Sequence, residues 1–87
     1  MPDHQTKQVK LYSLSTCGHC KSVKRLLSDF GIQYEFIDVD RLNKDDRKVA
    51  LDEVRSVNPN CSFPTIVIGD KVIVGSKEEE IKEALGI

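Results

Sequence analysis

The chain has 87 residues, 13 Lys+Arg against 14 Asp+Glu, a formal net charge of −1, 39% hydrophobic residues and no Trp. At this length folding buries only roughly 60–65% of the surface an unfolded chain exposes, which supports one small core and excludes a second domain. The near-neutral balance gives no electrostatic reason to expect a nucleic-acid backbone or an anionic membrane as partner, and no run approaches the ~18 apolar residues of a membrane span.

Residues 1–8 are polar and carry no apolar periodicity, so they read as a short disordered arm ahead of a single domain over 9–87. The same stretch lacks the apolar core of an export signal, and a cytoplasmic location is expected. Val9 to Leu14 has the β-branched and aromatic content of a strand, which Ser15 to Cys20 breaks just before a helical pattern begins. Val23, Leu26, Leu27 and Phe30 then recur at i, i+3, i+4 and i+7, and Gly31 supplies a stop, predicting a helix over roughly 18–30. Tyr34 to Val39 reads as a second strand. Asn43 or Asp45 can cap a second helix with Ala50, Leu51, Val54 and Val57 on one side, ended by Asn58-Pro59. Thr65 to Ile68 and Lys71 to Val74 flank Gly69-Asp70, the turn of a hairpin. Ser76 precedes Glu78, Glu79 and Glu80, whose charges favour a helix start, with Ile81, Ala84 and Leu85 as its apolar face.

The order is β-α-β-α-β-β-α, an α/β arrangement. Its strand–helix–strand unit requires two parallel strands joined by a right-handed crossover, and the hairpin adds an antiparallel pair. A four-stranded mixed sheet with helices on both faces is expected.

Three cysteines are an odd count, poorly suited to a disulfide scaffold in a reducing compartment. Cys17-Gly18-His19-Cys20 places two thiols at a helix start with Cα atoms ~5–5.5 Å apart, within reach of a reversible disulfide. Cys17 would meet the unpaired N–H groups and positive dipole end of the helix, which stabilise a thiolate and lower the thiol pKa to roughly 3.5–7.5. Cys17 is then the nucleophile and Cys20, one turn inside, the resolving thiol. The same residues admit other chemistries. Structural zinc needs four ligands, and beyond this pair the chain offers Cys61, His4 and His19 with no second pair at ligand spacing, so no metal site is expected. Covalent haem attachment fails because Lys21, not His, follows Cys20. An inert buried cysteine pair would not favour a strand-to-helix junction. His19 by itself is an ordinary surface residue, but protonated between two cysteines it would favour the thiolate and raise the reduction potential.

With this order and motif the chain resembles the glutaredoxin family of the thioredoxin superfamily over about residues 9–87. Thr16 to Cys20 matches the active-site position, Ser62-Phe63-Pro64-Thr65 the segment that usually reads Thr-Val-Pro, and Gly75-Ser76 followed by Glu78 the Gly-Gly-x-Asp motif. The resemblance implies a thioredoxin-like fold and a cis Pro64 facing the cysteine pair. It also implies a thiol-binding shelf on the backbone of Phe63, and further thiol-binding groups at Ser76 and Lys77. Leu14 stands where many members carry a Lys for a glutathione carboxylate, and Gly-His replaces the frequent Pro-Tyr, matching protein disulfide isomerases. Lys21 could assist with a carboxylate, and Cys61 lies three residues before Pro64, near enough for a regulatory role.

The expected function is reduction of protein or small-molecule disulfides by a glutaredoxin-like thiol–disulfide oxidoreductase, acting as a monomer without cofactor, with glutathione, another thiol or a reductase as electron source. Two alternatives differ in partner or class: a redoxin fed by a flavoprotein reductase, of the type that supplies ribonucleotide reductase, and an iron–sulfur carrier using Cys17 of two subunits and external thiols. Cys20 speaks against the carrier, whose specialised members usually lack it.

Overall fold

The computed structural model describes residues 8–86; residues 1–7 of the expected arm and Ile87 lie outside the described residues. Gln8 already joins the folded unit, its carbonyl accepting the Gly69 N–H at 2.9 Å. The elements are β1 (Val9–Ser13), α1 (Gly18–Asp29), β2 (Glu35–Asp38), a 3-10 turn (Val39–Arg41), α2 (Lys44–Val57), β3 (Thr65–Ile68), β4 (Lys71–Val74) and α3 (Glu78–Leu85). The sheet runs β2-β1-β3-β4. β1 pairs parallel with β2, Leu11 opposite Phe36, and antiparallel with β3, Leu11 opposite Ile66, while β3 and β4 form the hairpin.

Strand alternation sorts the side chains of β1 between two layers. Val9 and Leu11 join Val23, Leu26 and Leu27 of α1, Ile66 and Ile68 of β3, Ile73 of β4, and Ile81 and Ala84 of α3 in one core. On the other face Lys10 and Tyr12 meet α2, where the Tyr12 hydroxyl donates to Glu53 at 3.1 Å. Helices therefore cover both faces, α1 and α3 on one and α2 on the other. Leu11, Leu27, Ile66 and Ile81 are wholly buried, each stabilising the fold by roughly 1.5–3 kcal/mol relative to an exposed side chain.

Three local readings are adjusted. Phe30, counted on the buried face of α1, is 48% exposed. It forms the C-cap at φ −94° and ψ 7°, outside helical geometry, so the periodic position no longer points inward. Its ring faces Lys82 Nζ at 5.4 Å instead. Val39, expected to end the second strand, is buried in the 3-10 turn, which swings Asp40 back toward the end of β1. Val57 is exposed at the end of α2, where Ala50 and Val54 carry the buried face and Leu51 is half-buried. Asn43 is the cap of α2, its side-chain oxygen accepting the Asp46 N–H at 2.8 Å.

Candidate functional site

The turn that leads into the cysteine pair begins where β1 ends. The Cys17 N–H donates to the Leu14 carbonyl at 3.1 Å, closing a four-residue turn. Asp40 grips that turn from the side: its carboxylate accepts the Ser15 N–H at 2.8 Å and the Ser15 hydroxyl at 2.6 Å. These two bonds hold the Asp40 carboxyl below the usual range. Arg47 of α2 clamps the 3-10 turn by donating to the carbonyls of Asp40 at 3.3 Å and Leu42 at 3.0 Å.

Cys17 is the N-cap of α1. Its φ of −85° and ψ of 121° are extended, as the cap position requires, and its sulfur accepts the Cys20 N–H at 3.3 Å. A sulfur thus takes the place usually filled by a Ser, Thr or Asp oxygen at a helix start. The Cys17 thiol is held below its ordinary value. The hydrogen bond from the Cys20 thiol is the largest cause; burial opposes it, and the backbone N–H groups of Cys20 and His19 assist. Cys20 lies three residues before Val23 and so continues the apolar face of α1 inward, where it is wholly buried. Burial, followed by the hydrogen bond with Cys17, pushes its thiol up to about 11. Both cysteines are free thiols, Cys17 half-buried.

A charged pair beneath the site has no signature in the sequence. Lys24, one turn beyond Cys20, donates to Asp38 at 2.9 Å, and the Ser13 hydroxyl donates to the same carboxylate oxygen at 2.5 Å. Burial would raise the Asp38 carboxyl, but Ser13 and Lys24 outweigh it and its pKa is lowered. The Lys24 charge in turn draws the Cys20 thiol slightly down against its larger upward shift.

The segments expected to complete the site are linked through two contacts. Phe63 is half-buried, Pro64 buried, and the bond between them is cis. The Pro64 carbonyl accepts the Gly75 N–H at 2.9 Å, tying the Phe63-Pro64 segment to the turn before α3. Ser76, next in chain, shares a 3.1 Å hydrogen bond with Nδ1 of His19. The imidazole thus turns toward Ser76, while the backbone N–H of His19 is the group that acts on Cys17. Lys77 is the N-cap of α3 without a side-chain capping bond, and its ammonium pairs with Glu80 at 3.7 Å. A groove of ≈ 390 Å³ lined by Ser22, Val23, Ser76 and Ile81 runs between α1 and α3 beside this bridge. Lys21 is exposed. Cys61 is half-buried with a left-handed φ of 49°. Among the described residues no group of three or more His, Cys, Asp or Glu could hold a metal ion, and no helix is long and apolar enough to cross a membrane.

A parallel and antiparallel four-stranded sheet with two thiols at the first helix start defines a thioredoxin-fold redox protein. The glutaredoxin family model matches residues 9–73. The chain belongs to the glutaredoxin family. It is similar to methanoredoxin of Methanosarcina acetivorans, with 43% identity, a TM-score of 0.89 and coverage of 92% of this chain and 85% of that one. A glutaredoxin from Methanosarcina mazei Go1 is 48% identical, with a TM-score of 0.86, covering 92% of this chain and 79% of that one. An uncharacterized glutaredoxin-like 8.6 kDa protein in a rubredoxin operon of Clostridium pasteurianum is 34% identical over 77 residues, 88% of this chain and 96% of that protein.

Proposed function

We propose that the protein reduces disulfides by dithiol exchange at Cys17 and Cys20. The observation that carries this reading is the asymmetry of the pair: an accessible thiol held low at the helix cap and a buried one pushed up to about 11. The Cys17 thiolate attacks one sulfur of the substrate disulfide, and the S–S bond breaks to release one thiolate. Cys20 then gives up its proton and attacks the Cys17 sulfur, which forms the Cys17–Cys20 disulfide and releases the second thiol. Two electrons pass to the substrate, and an external thiol or reductase returns them. The Phe63-Pro64 segment serves as the shelf for the incoming disulfide. The odd cysteine count suits the reducing cytoplasm.

Glutathione is a poor match as the electron source. Leu14 offers no cation, Lys77 is engaged by Glu80, and Glu78, Glu79 and Glu80 crowd the first turn of α3, where an anionic thiol would seek N–H donors. Another thiol or a protein donor fits better. The test is reduction of the oxidised protein by a panel of glutathione, other small thiols and flavoprotein reductases. Weak turnover with glutathione is expected. Leu14→Lys should raise it by roughly tenfold or more, the equivalent of a charge-assisted contact of ~1.5–3 kcal/mol. Glutathione turnover equal to that of an ordinary dithiol glutaredoxin would refute this choice of donor.

A further inference from the structure

The loop between α2 and β3 contains the Phe63-Pro64 segment, and its shape is set by a side chain five residues earlier. Asn58 is 5% exposed and Thr65 0%, two of the few buried polar residues among the described residues. A buried amide is costly unless its groups are paired. The Asn58 side-chain oxygen accepts the Asn60 N–H at 3.3 Å, and Nδ2 donates to the Ser62 carbonyl at 3.3 Å, the Ser62 hydroxyl at 3.1 Å and Thr65 Oγ1 at 3.1 Å. The orientation of the amide follows from chemistry, because an N–H can only donate to the oxygen and a carbonyl can only accept from the nitrogen. Thr65 Oγ1 closes the ring by donating to the Ser62 carbonyl at 2.7 Å. The residue before Phe63 and the residue after Pro64 are therefore both fixed by one amide. Helix capping does not account for this side chain, since the C-cap bond of α2 is made by the Asn58 backbone N–H to Val54 at 2.7 Å.

We propose that Asn58 is the positioning residue of the shelf. By holding Ser62 and Thr65 it fixes the Phe63 backbone groups where an incoming disulfide lies in line with the Cys17 sulfur. It acts on docking and leaves the intrinsic reactivity of Cys17 alone. The inference rests on the proposed function, and two assays separate the two. One is steady-state reduction of a peptide disulfide; the other is alkylation of Cys17 by iodoacetamide, which needs no shelf.

Asn58→Ala should lower kcat/KM for the peptide by roughly tenfold or more, since misplacement of about an ångström suffices for such losses, with KM taking the larger share. Thr65→Val, which keeps the shape and removes the hydroxyl, should lower it several-fold, and Thr65→Ser should restore it. The alkylation rate should stay within about twofold of wild type in all three, because the thiolate environment is untouched. If Asn58→Ala does not fold, the Thr65 pair decides. Peptide reduction unchanged in the variants, alkylation falling in parallel with it, or Thr65→Ser as impaired as Thr65→Val would each overturn the proposal. A wild-type protein that leaves the peptide disulfide intact would overturn the proposed function and this inference together.

Discussion

The turn over residues 14–20 and the loop over residues 58–65 are both built to hold backbone in place, and they do so by different physics. The first is organised by charge and by the helix end. The Asp40 carboxylate fixes Ser15, and the N–H groups of the first turn of α1 face the Cys17 sulfur. The second is organised by a neutral, buried network radiating from Asn58. Under the proposed roles, reactivity and docking are therefore separable. Titration and charge variants should disturb the 14–20 turn, whereas loss of neutral hydrogen bonds should disturb the 58–65 loop without altering the thiol.

The cysteines themselves offer the largest effect with which to probe the first region. Cys17→Ser is expected to abolish disulfide reduction, and Cys20→Ser to attack normally and then stall as a mixed disulfide on Cys17 with protein substrates. Mass spectrometry of the trapped adducts checks this. An adduct on Cys20 in the Cys17→Ser protein, with none on Cys17 in the reciprocal variant, would reverse the roles.

Asp38 tests whether the charged pair beneath the site is structural. Asp38→Asn removes the partner of the mostly buried Lys24 ammonium and should cost roughly 1–3 kcal/mol of stability at neutral pH in denaturant unfolding. The folded-state pKa of Asp38 is lowered, so its contribution is fully present above the ordinary carboxylate value of ~3.9 and lost as pH falls through the lowered one. The gap between wild type and variant should accordingly close in acid. A gap that stayed constant would mean that shape, not charge, is what Asp38 supplies.

His19 should give the smallest effect. From its place between the cysteines its imidazolium is expected to hold the thiolate directly, whereas the ring hydrogen-bonds to Ser76 and the backbone N–H acts on Cys17. His19→Tyr keeps that N–H, and its reduction potential should lie within ~30 mV of wild type, less than ~1.4 kcal/mol for two electrons. A larger shift toward the reducing side in a redox titration would restore the direct electrostatic role.

What could be read from the chain follows the range of the forces involved. The apolar spacing of Val23, Leu26 and Leu27, the Gly69-Asp70 turn and the cap at Asn43 are local patterns, and the fold they predict is the one observed. Extending the α1 period back by three residues also reaches Cys20 and not Cys17, so the division into a buried and an accessible thiol was legible. Phe30 and Val39 misled because periodicity and β-propensity do not register where a helix or strand ends. The pairs Ser15 with Asp40, Lys24 with Asp38, and His19 with Ser76 join residues 25, 14 and 57 positions apart. Polar partners chosen by tertiary packing leave no periodic trace, and Asn58 before a proline reads only as a helix stop.

The two thiols are divided by their surroundings: the hydrogen bond from the Cys20 side chain, assisted by the N–H groups at the helix start, holds Cys17 low, and burial keeps Cys20 protonated. Thiolate absorbance of the reduced protein, followed against pH together with iodoacetamide alkylation mapped to each cysteine, measures this directly. A first step from Cys17 below the ordinary thiol value is expected, with alkylation rising through that step, and a second from Cys20 near 11. Two thiols titrating together near ~8.5, or Cys20 ionising first, would contradict it.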